Sequence, residues 1–99
     1  MSFNKLVRDK IPEIIQNEGR ECKYRILSDE DYYRELKIKL NEEVKEFQDS
    51  EEVEELADIL EVIYSLAKAK KYSEEELNAI RKNKADKRGA FDKKIFLEK

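Results

Sequence analysis

The chain has 99 residues, of which 45% are charged and 39% hydrophobic, with only two Gly and one Pro. A β-sandwich or barrel needs more turn residues, so this composition predicts a single all-α domain over residues 1–99 with a modest core. The net charge of −3 gives no general attraction to nucleic acid or to an anionic membrane. The charges are segregated, because residues 41–61 hold ten acids and one base, whereas residues 81–94 hold seven bases and two acids.

The residue types that bind metals are restricted. Cys22 is the only cysteine, which excludes an intramolecular disulfide, and the chain has no His, so the usual zinc site is absent. Any metal must therefore be bound by oxygen atoms, which favours Mg²⁺, Mn²⁺ or Ca²⁺. We find no signal-peptide pattern and no apolar run long enough to span a bilayer, which predicts a cytoplasmic protein with no membrane partner.

The first part of the chain predicts a short helix followed by an extended segment. Residues 11–17 suit a helix with Pro12 in its first turn, and Gly19 is a stop signal just beyond its end. The alternation in residues 22–27 fits a short strand or an extended linker. Ser28 and the three acids after it mark the start of a longer helix, because acids complement the positive end of a helix.

The helix predicted over residues 29–48 carries a carboxylate within its apolar stripe. At about 100° per residue, Glu43 falls inside the stripe and Glu46 lies on its flank. A buried carboxylate is costly unless it is protonated, paired or bound to metal, so the position of Glu43 is the first indication of a site. The stripe consists of Leu36, Leu40, Val44 and Phe47.

The next predicted helix runs from Ser50 to about Lys70 and is apolar around more than half of its circumference. Such a helix is buried on more than one side, which predicts that it lies near the centre of a homo-oligomer, either a dimer or a tetramer. Glu55 and Asp58 lie on the edge of its apolar arc. The helical hairpin formed by these two helices is expected to be the centre of the fold.

The last helix is predicted from the capping box Ser73–Glu76 to about Lys87, with Gly89 ending it. The tail that follows, AFDKKIFLEK, contains four large apolar residues, so we expect it to dock on a surface rather than extend freely into solvent. Its KIFLE segment is a candidate to pair with the earlier KYRIL segment. The sequence thus predicts a small all-α bundle of about four helices around the acidic hairpin, with a possible minor β ribbon.

Two acid pairs define the candidate site: Glu43 with Glu46, and Glu55 with Asp58. The i, i+3 spacing places each pair on one helix face, and a short turn between the helices brings the two faces together. Four carboxylates this close repel one another unless a cation neutralises them, and a hard divalent cation leaves coordination positions for water and phosphate oxygens. The alternative is a solvated, Glu-rich surface of a helical hairpin.

Basic residues lie in two segments outside the hairpin. Lys84, Lys87 and Arg88 share one face of the last helix, and Lys5, Arg8 and Lys10 form a similar cluster near the N-terminus. These clusters also fit an ordinary Lys-rich surface. A metal held by acids, with separate basic groups to neutralise phosphates, is nevertheless the combination that a nucleoside polyphosphate requires.

The two acid pairs, about eight residues apart, resemble the ExxE…ExxD signature of the all-α nucleoside triphosphate pyrophosphohydrolases. That superfamily includes the MazG proteins, the dimeric dUTPases and the phosphoribosyl-ATP pyrophosphohydrolases. The opening NKLVRDKIPEII and the late KADKRGAFDKKIFLE are similar to the phosphoribosyl-ATP pyrophosphohydrolase-like, MazG-like branch. The resemblance therefore touches the start, the middle and the end of the chain. No cyclohydrolase partner domain is visible, so a role in histidine biosynthesis is not implied.

The resemblance implies an oligomeric Mg²⁺ enzyme, with Mn²⁺ as a substitute, that cleaves nucleoside triphosphates between the α and β phosphates. The leading hypothesis for its role is to clear or regulate a nucleoside triphosphate or related compound, and house-cleaning of non-canonical or excess nucleotides is one form of that role. Carried over by motif, the metal ligands and catalytic residues would be Glu43, Glu46, Glu55 and Asp58. The substrate-binding positions would be Lys84, Arg88, Asn83, Arg8 and Lys10.

A second hypothesis is a non-catalytic module for helical oligomerisation or partner binding, because the helix around residues 53–67 is unusually apolar and the surface is densely charged. Nucleic-acid binding through residues 81–94 is disfavoured. That segment has few aromatic residues for base stacking, and the chain as a whole is acidic.

Overall fold

A computed structural model describes residues 4–99, and within this range the chain forms four α-helices and no β-strand. The all-α prediction and the number of helices are therefore confirmed. None of the helices in the described range is long and apolar enough to cross a membrane. The helices are α1 (Ile11–Asn17), α2 (Asp29–Ser50), α3 (Val53–Ala69) and α4 (Glu74–Arg88).

The helix ends follow the local chemistry of their caps. At the start of α2, the Ser28 Oγ accepts a hydrogen bond from the backbone N–H of Asp31. At the start of α4, the Ser73 Oγ accepts from the Glu76 N–H at 3.1 Å, and the Glu76 carboxylate accepts from the Ser73 N–H at 2.9 Å. This reciprocal pair is the capping box predicted from the sequence. The predicted bounds of α1 are also confirmed.

Replacing Ser73 by Ala should lower the free energy of unfolding by about 1 kcal/mol, because the Glu76 N–H then loses its acceptor. Urea denaturation followed by circular dichroism measures this change. The Ser73→Asp variant is the control, since an aspartate retains a capping oxygen and should keep near-wild-type stability. Equal losses in both variants would contradict the assignment of the cap.

The junction between α2 and α3 lies later than the sequence predicts. The break was expected at residues 48–50, but α2 continues through Ser50, and only Glu51 and Glu52 separate it from α3. Glu51 adopts a left-handed conformation (φ 59°), and its N–H donates to the carbonyl oxygen of Phe47. This contact ends α2, and because the connector is so short, α3 turns back along α2.

The core is small and lies between α2 and α3. Its buried side chains are Leu36 from α2 and Val62 and Ala67 from α3. α4 packs more lightly against the end of α3, where the Asn78 Nδ2 donates a hydrogen bond to the Tyr64 hydroxyl at 3.2 Å. Most of the chain's apolar side chains therefore remain partly or largely exposed.

One expectation for the non-helical segments is wrong, and another is not met within the single chain. Residues 23–27 and 94–98 form no β ribbon, and neither segment contains a strand. The C-terminal segment (residues 89–99) does not dock on its own chain, because its four large apolar side chains are between 80% and 96% exposed. These side chains are Phe91, Ile95, Phe96 and Leu97.

The single chain is larger and more open than a compact protein of its size. Its radius of gyration is 17.3 Å, whereas a compact domain of this length has about 13 Å. Its accessible surface is 9358 Å², whereas a folded monomer of this mass exposes about 6,000 Å². The fold of one chain therefore leaves a large area of surface unburied.

Candidate metal centre

Three of the four predicted acids converge between α2 and α3. Glu43 comes from α2, and Glu55 and Asp58 come from α3; one carboxylate oxygen of each lies within 4.8 Å of the other two. All three residues are partly buried. The i, i+3 spacing places Glu55 and Asp58 on one face of α3, and the two-residue connector aligns that face with Glu43. We call these three residues the carboxylate triad.

Glu46, the fourth predicted acid, is exposed and lies outside the triad. Its charge is still close enough to act on Glu55. The structure therefore brings three predicted ligands together and leaves Glu46 beside them.

Among the three carboxylates of the triad, Glu55 is the one whose ionised form is clearly disfavoured by its surroundings. Its partial burial is the largest cause that raises the pKa of Glu55 above its ordinary value, and the charges of Asp58, Glu46, Glu43 and Glu54 raise this pKa further. Within residues 4–99, Glu55 forms no ion pair, unlike the other two members of the triad. A positive charge placed among the three carboxylates would therefore relieve the repulsion most strongly at Glu55.

Two basic side chains neutralise the other two carboxylates. The Lys39 Nζ lies 3.4 Å from the Glu43 Oε1, and the Arg8 Nη2 lies 2.6 Å from the Asp58 Oδ1. The side chains of Lys39 and Glu43 are only 20% and 15% exposed, so solvent screens their pair less than an ordinary surface pair. Arg8 is more exposed and reaches the triad from the irregular segment before α1.

Lys39 is the functional candidate that the sequence analysis missed. The sequence does contain a signal that could have identified Lys39. Lys39 lies four residues before Glu43, and this spacing places both side chains on the same face of α2. The basic clusters predicted from the sequence lie outside the acidic hairpin, and a single lysine within a charged helix forms no cluster. Only the packing of α3 against α2 shows that Lys39 faces the site.

A cleft of about 430 Å³ opens beside the triad, and Glu43 and Asp58 form part of its wall. Three basic residues also line it: Arg8, Lys10 and Lys39. Leu36, Val62 and the ring of Tyr32 contribute apolar surface. Carboxylates, cations and apolar surface in one cleft suit a ligand that combines anionic groups with a flat or apolar moiety.

The predicted basic residues of α4 are not part of this cleft. Asn83, Lys84 and Arg88 are exposed, and none of them is among the residues within 4–99 that line it. Arg8 and Lys10, in contrast, do line the cleft. In the single chain, the N-terminal basic cluster is therefore the one that faces the carboxylate triad.

The donor set fits a hard divalent cation. In octahedral coordination at about 2.1 Å, adjacent oxygens bound to Mg²⁺ lie about 3.0 Å apart. The triad oxygens lie within 4.8 Å of one another, so they would close by at most about 1.8 Å. Such a shift is within the reach of Glu and Asp side-chain rotation. Three carboxylates with no nitrogen or sulfur donor favour Mg²⁺ or Mn²⁺ over zinc.

The raised pKa of Glu55 predicts a specific pH dependence of stability without metal. Because the pKa of Glu55 is higher in the folded than in the unfolded chain, the folded chain holds the proton more tightly. At a pH above the pKa of Glu55 in the folded chain, the ionised side chain destabilises the fold to its full extent. This destabilisation disappears as the pH falls to 4.5, the ordinary pKa of a Glu side chain. The Tm of a Glu55→Gln variant in EDTA should exceed that of the wild type near neutral pH, and the gap should close towards pH 4.5. Thermal unfolding across this pH range measures the difference.

The Glu75→Gln variant serves as the control for this pH experiment, because Glu75 is an exposed acid in the first turn of α4, away from the triad. It should follow the wild-type pH profile. A Glu55→Gln profile parallel to the wild type across the range would contradict the proposed repulsion at Glu55.

Comparison with known proteins gives one short similarity. No protein-family model matches this chain, and no solved structure matches it. A stretch of 41 residues is 54% identical to an uncharacterized protein of Mycolicibacterium smegmatis. This stretch covers 41% of the present chain and 42% of that protein, so the match spans less than half of the relative's length. The function must therefore be argued from the geometry of the site.

Proposed function

We propose that this protein is a Mg²⁺-dependent nucleoside triphosphate pyrophosphohydrolase, which cleaves between the α and β phosphates to give a nucleoside monophosphate and pyrophosphate. The observation that carries the proposal is the carboxylate triad, held by two adjacent helices beside a cleft lined by Arg8, Lys10 and Lys39. The motif resemblance described above supports the same activity and adds a MazG-like, oligomeric bundle around the α2–α3 hairpin.

The carboxylate triad and two of the basic residues of the cleft have separate roles in this proposal. Glu43, Glu55 and Asp58 hold the cation, which would polarise the phosphate oxygens and lower the pKa of a bound water. Arg8 and Lys10 neutralise phosphate oxygens, as guanidinium and ammonium groups do at other phosphate sites. Water attacks the α phosphorus, the bond from that phosphorus to the bridging oxygen breaks, and pyrophosphate leaves.

Among the three carboxylates, we assign Glu55 to orient the attacking water and accept its proton. Glu43 and Asp58 are each paired with a basic side chain, whereas Glu55 has no such partner within residues 4–99.

The test is pyrophosphate release from a panel of ordinary and modified nucleoside triphosphates with Mg²⁺. We expect at least one nucleotide to be hydrolysed by the wild type in a metal-dependent manner, with activity lost in Asp58→Asn. No metal-dependent release across a broad panel would overturn the proposal, and so would full activity in the Asp58→Asn variant. The identity of the best substrate would define the base and sugar that the cleft accepts.

A second candidate is a non-catalytic module for oligomerisation or partner binding, which the exposed apolar face of α3 favours. The two candidates differ in how the fold responds to metal. Ligands that bind only the native state raise its stability, so the enzyme hypothesis predicts a higher Tm with Mg²⁺. A Tm that does not change with Mg²⁺ or Mn²⁺, together with no hydrolysis, would favour the binding module.

A further inference from the structure

Among the exposed apolar surfaces of residues 4–99, two have no partner in the part of the single chain that the structure describes. The first is the C-terminal segment, whose Phe91, Ile95, Phe96 and Leu97 side chains are almost fully exposed. The second is a stripe on α3 formed by Val53, Leu56 and Leu60, which we call the α3 stripe; these side chains are between 46% and 70% exposed. The spacing i, i+3, i+7 places the three on one face of the helix.

The α3 stripe lies on the opposite side of α3 from the carboxylate triad. Leu60 and the buried Val62 are separated by about 200° around the helix, and Val62 faces α2 together with the triad. A partner that covers the stripe therefore leaves the cleft open. The surface and the candidate metal centre are two separate features of the same helix.

The unburied area is large enough for a stable interface. The chain exposes 9358 Å², which exceeds the expectation for a compact monomer of its mass by roughly 3,000 Å². A stable protein–protein interface needs about 800 Å² from each partner. The area that one chain leaves exposed is therefore more than a second chain needs for binding.

The charges decide what covers the α3 stripe. Residues 51–61 contain six acids and no base. Two of them, Glu55 and Asp58, face away from the stripe, but pairing the stripe with its own copy would still bring the other four close to their counterparts. The C-terminal segment has a net positive charge, because Lys93, Lys94 and Lys99 outnumber Asp92 and Glu98, and two of these lysines lie directly between its apolar residues. Opposite charges therefore favour the pairing of the α3 stripe with the C-terminal segment, and like charges disfavour the pairing of the stripe with its own copy.

We propose that the C-terminal segment of one copy docks on the α3 stripe of a second copy. The four apolar side chains cover Val53, Leu56 and Leu60, while Lys93 and Lys94 lie near the exposed acids Glu52 and Glu54. Since each copy has one segment and one stripe, a two-fold dimer satisfies both contacts. This inference does not depend on the proposed catalytic function, because neither surface contains a member of the triad.

Sedimentation across a concentration series tests the apolar part of the proposal. The Phe91→Ser/Phe96→Ser double variant and the Leu56→Ser variant should each raise the dimer dissociation constant at least about tenfold. Ile26→Ser is the matched control, because Ile26 is 87% exposed and belongs to neither surface. It should dissociate as the wild type does. Since these side chains are exposed in the single chain, the monomer fold should survive each change, as circular dichroism can verify.

A charge-reversal experiment tests whether the two surfaces contact each other. Chains with Lys93→Glu/Lys94→Glu and chains with Glu52→Lys/Glu54→Lys should each dimerise at least about tenfold more weakly than the wild type. An equimolar mixture should recover dimerisation, because each reversed segment then meets a reversed stripe. Native mass spectrometry would identify the mixed dimer if one variant carries a uniform ¹⁵N label, because Lys and Glu residues are nearly equal in mass.

Three results would overturn this inference. The first is a wild-type chain that remains monomeric at every concentration tested. The second is a dimer that Leu56→Ser weakens and the Phe91→Ser/Phe96→Ser variant does not, which would mean that the stripe binds something other than the C-terminal segment. The third is a failure of the charge-reversed mixture to form the mixed dimer. Each result would leave the pyrophosphohydrolase proposal standing, because that proposal is tested by metal-dependent hydrolysis.

Discussion

Replacing Glu43 by Gln is expected to lower Mg²⁺-dependent pyrophosphate release by at least about 100-fold. Glu43 is the only member of the carboxylate triad supplied by α2, so the change removes the ligand that bridges the two helices. A neutral amide also balances less of the cation's charge than a carboxylate does. The rise in Tm that Mg²⁺ produces in the wild type should disappear in the same variant.

Glu42→Gln is the matched control for this prediction. Glu42 is the adjacent residue on α2, its carboxylate lies 3.7 Å from the same Lys39 Nζ, and it is exposed and outside the triad. This control variant should keep its activity and its stabilisation by Mg²⁺. If Glu42→Gln and Glu43→Gln lose activity equally, the effect is the general loss of negative charge from α2, and the triad is not the metal site.

Local signals account for the parts of the fold that the sequence predicted well. Pro12 and Gly19 bracket α1, and Ser28 and Ser73 begin α2 and α4, because each of these residues satisfies or avoids specific backbone groups at a helix end. The α2–α3 junction had no such residue. An acid in the left-handed conformation, Glu51, ends α2, and this conformation is uncommon outside Gly and Asn.

The long-range features were harder to predict, because they depend on which surfaces meet. The apolar residues of the C-terminal segment indicated docking, and their composition alone did not show whether the acceptor lies in the same chain. In the structure these residues are exposed, so the apolar pattern describes a surface without its partner. An apolar pattern in the sequence predicts that a side chain will be buried, and it does not identify the surface that buries it.

The site was predicted in part for a related reason. Glu43 stood out because an acid within an apolar stripe needs a compensating charge, and Glu55 and Asp58 followed from the spacing on the next helix. Lys39 and Arg8 acquire their roles through contacts with those acids, Arg8 across 50 positions of the chain. The periodicity of one helix identifies the acids, whereas the cations that face them become visible only when the elements are assembled.

The Arg8→Gln variant is expected to change the binding of metal and of nucleotide in opposite directions. In the metal-free chain the Arg8 guanidinium occupies Asp58 at 2.6 Å, so it competes with a cation for that carboxylate. Removing a partly exposed ion pair of this kind should tighten the binding of Mn²⁺ alone by about two- to fivefold. Affinity for a non-hydrolysable nucleotide with saturating Mg²⁺ should fall by about 10- to 100-fold, because a charged hydrogen bond to phosphate is lost. Isothermal titration calorimetry measures both constants.

Tighter binding of metal together with weaker binding of nucleotide would distinguish two roles of Arg8. In the first, Arg8 leaves Asp58 when metal binds and contacts phosphate; in the second, it only holds the irregular N-terminal segment against α3. A purely structural Arg8 would loosen the cleft when it is removed, and both ligands would then bind more weakly. Arg20→Gln provides the control, since Arg20 is an exposed arginine that also pairs with an acid, the Glu18 Oε1 at 3.1 Å, and lies outside the cleft. It should leave both affinities unchanged. Weaker Mn²⁺ binding by Arg8→Gln would therefore show that Arg8 supports the triad, and it would exclude competition between Arg8 and the metal for Asp58.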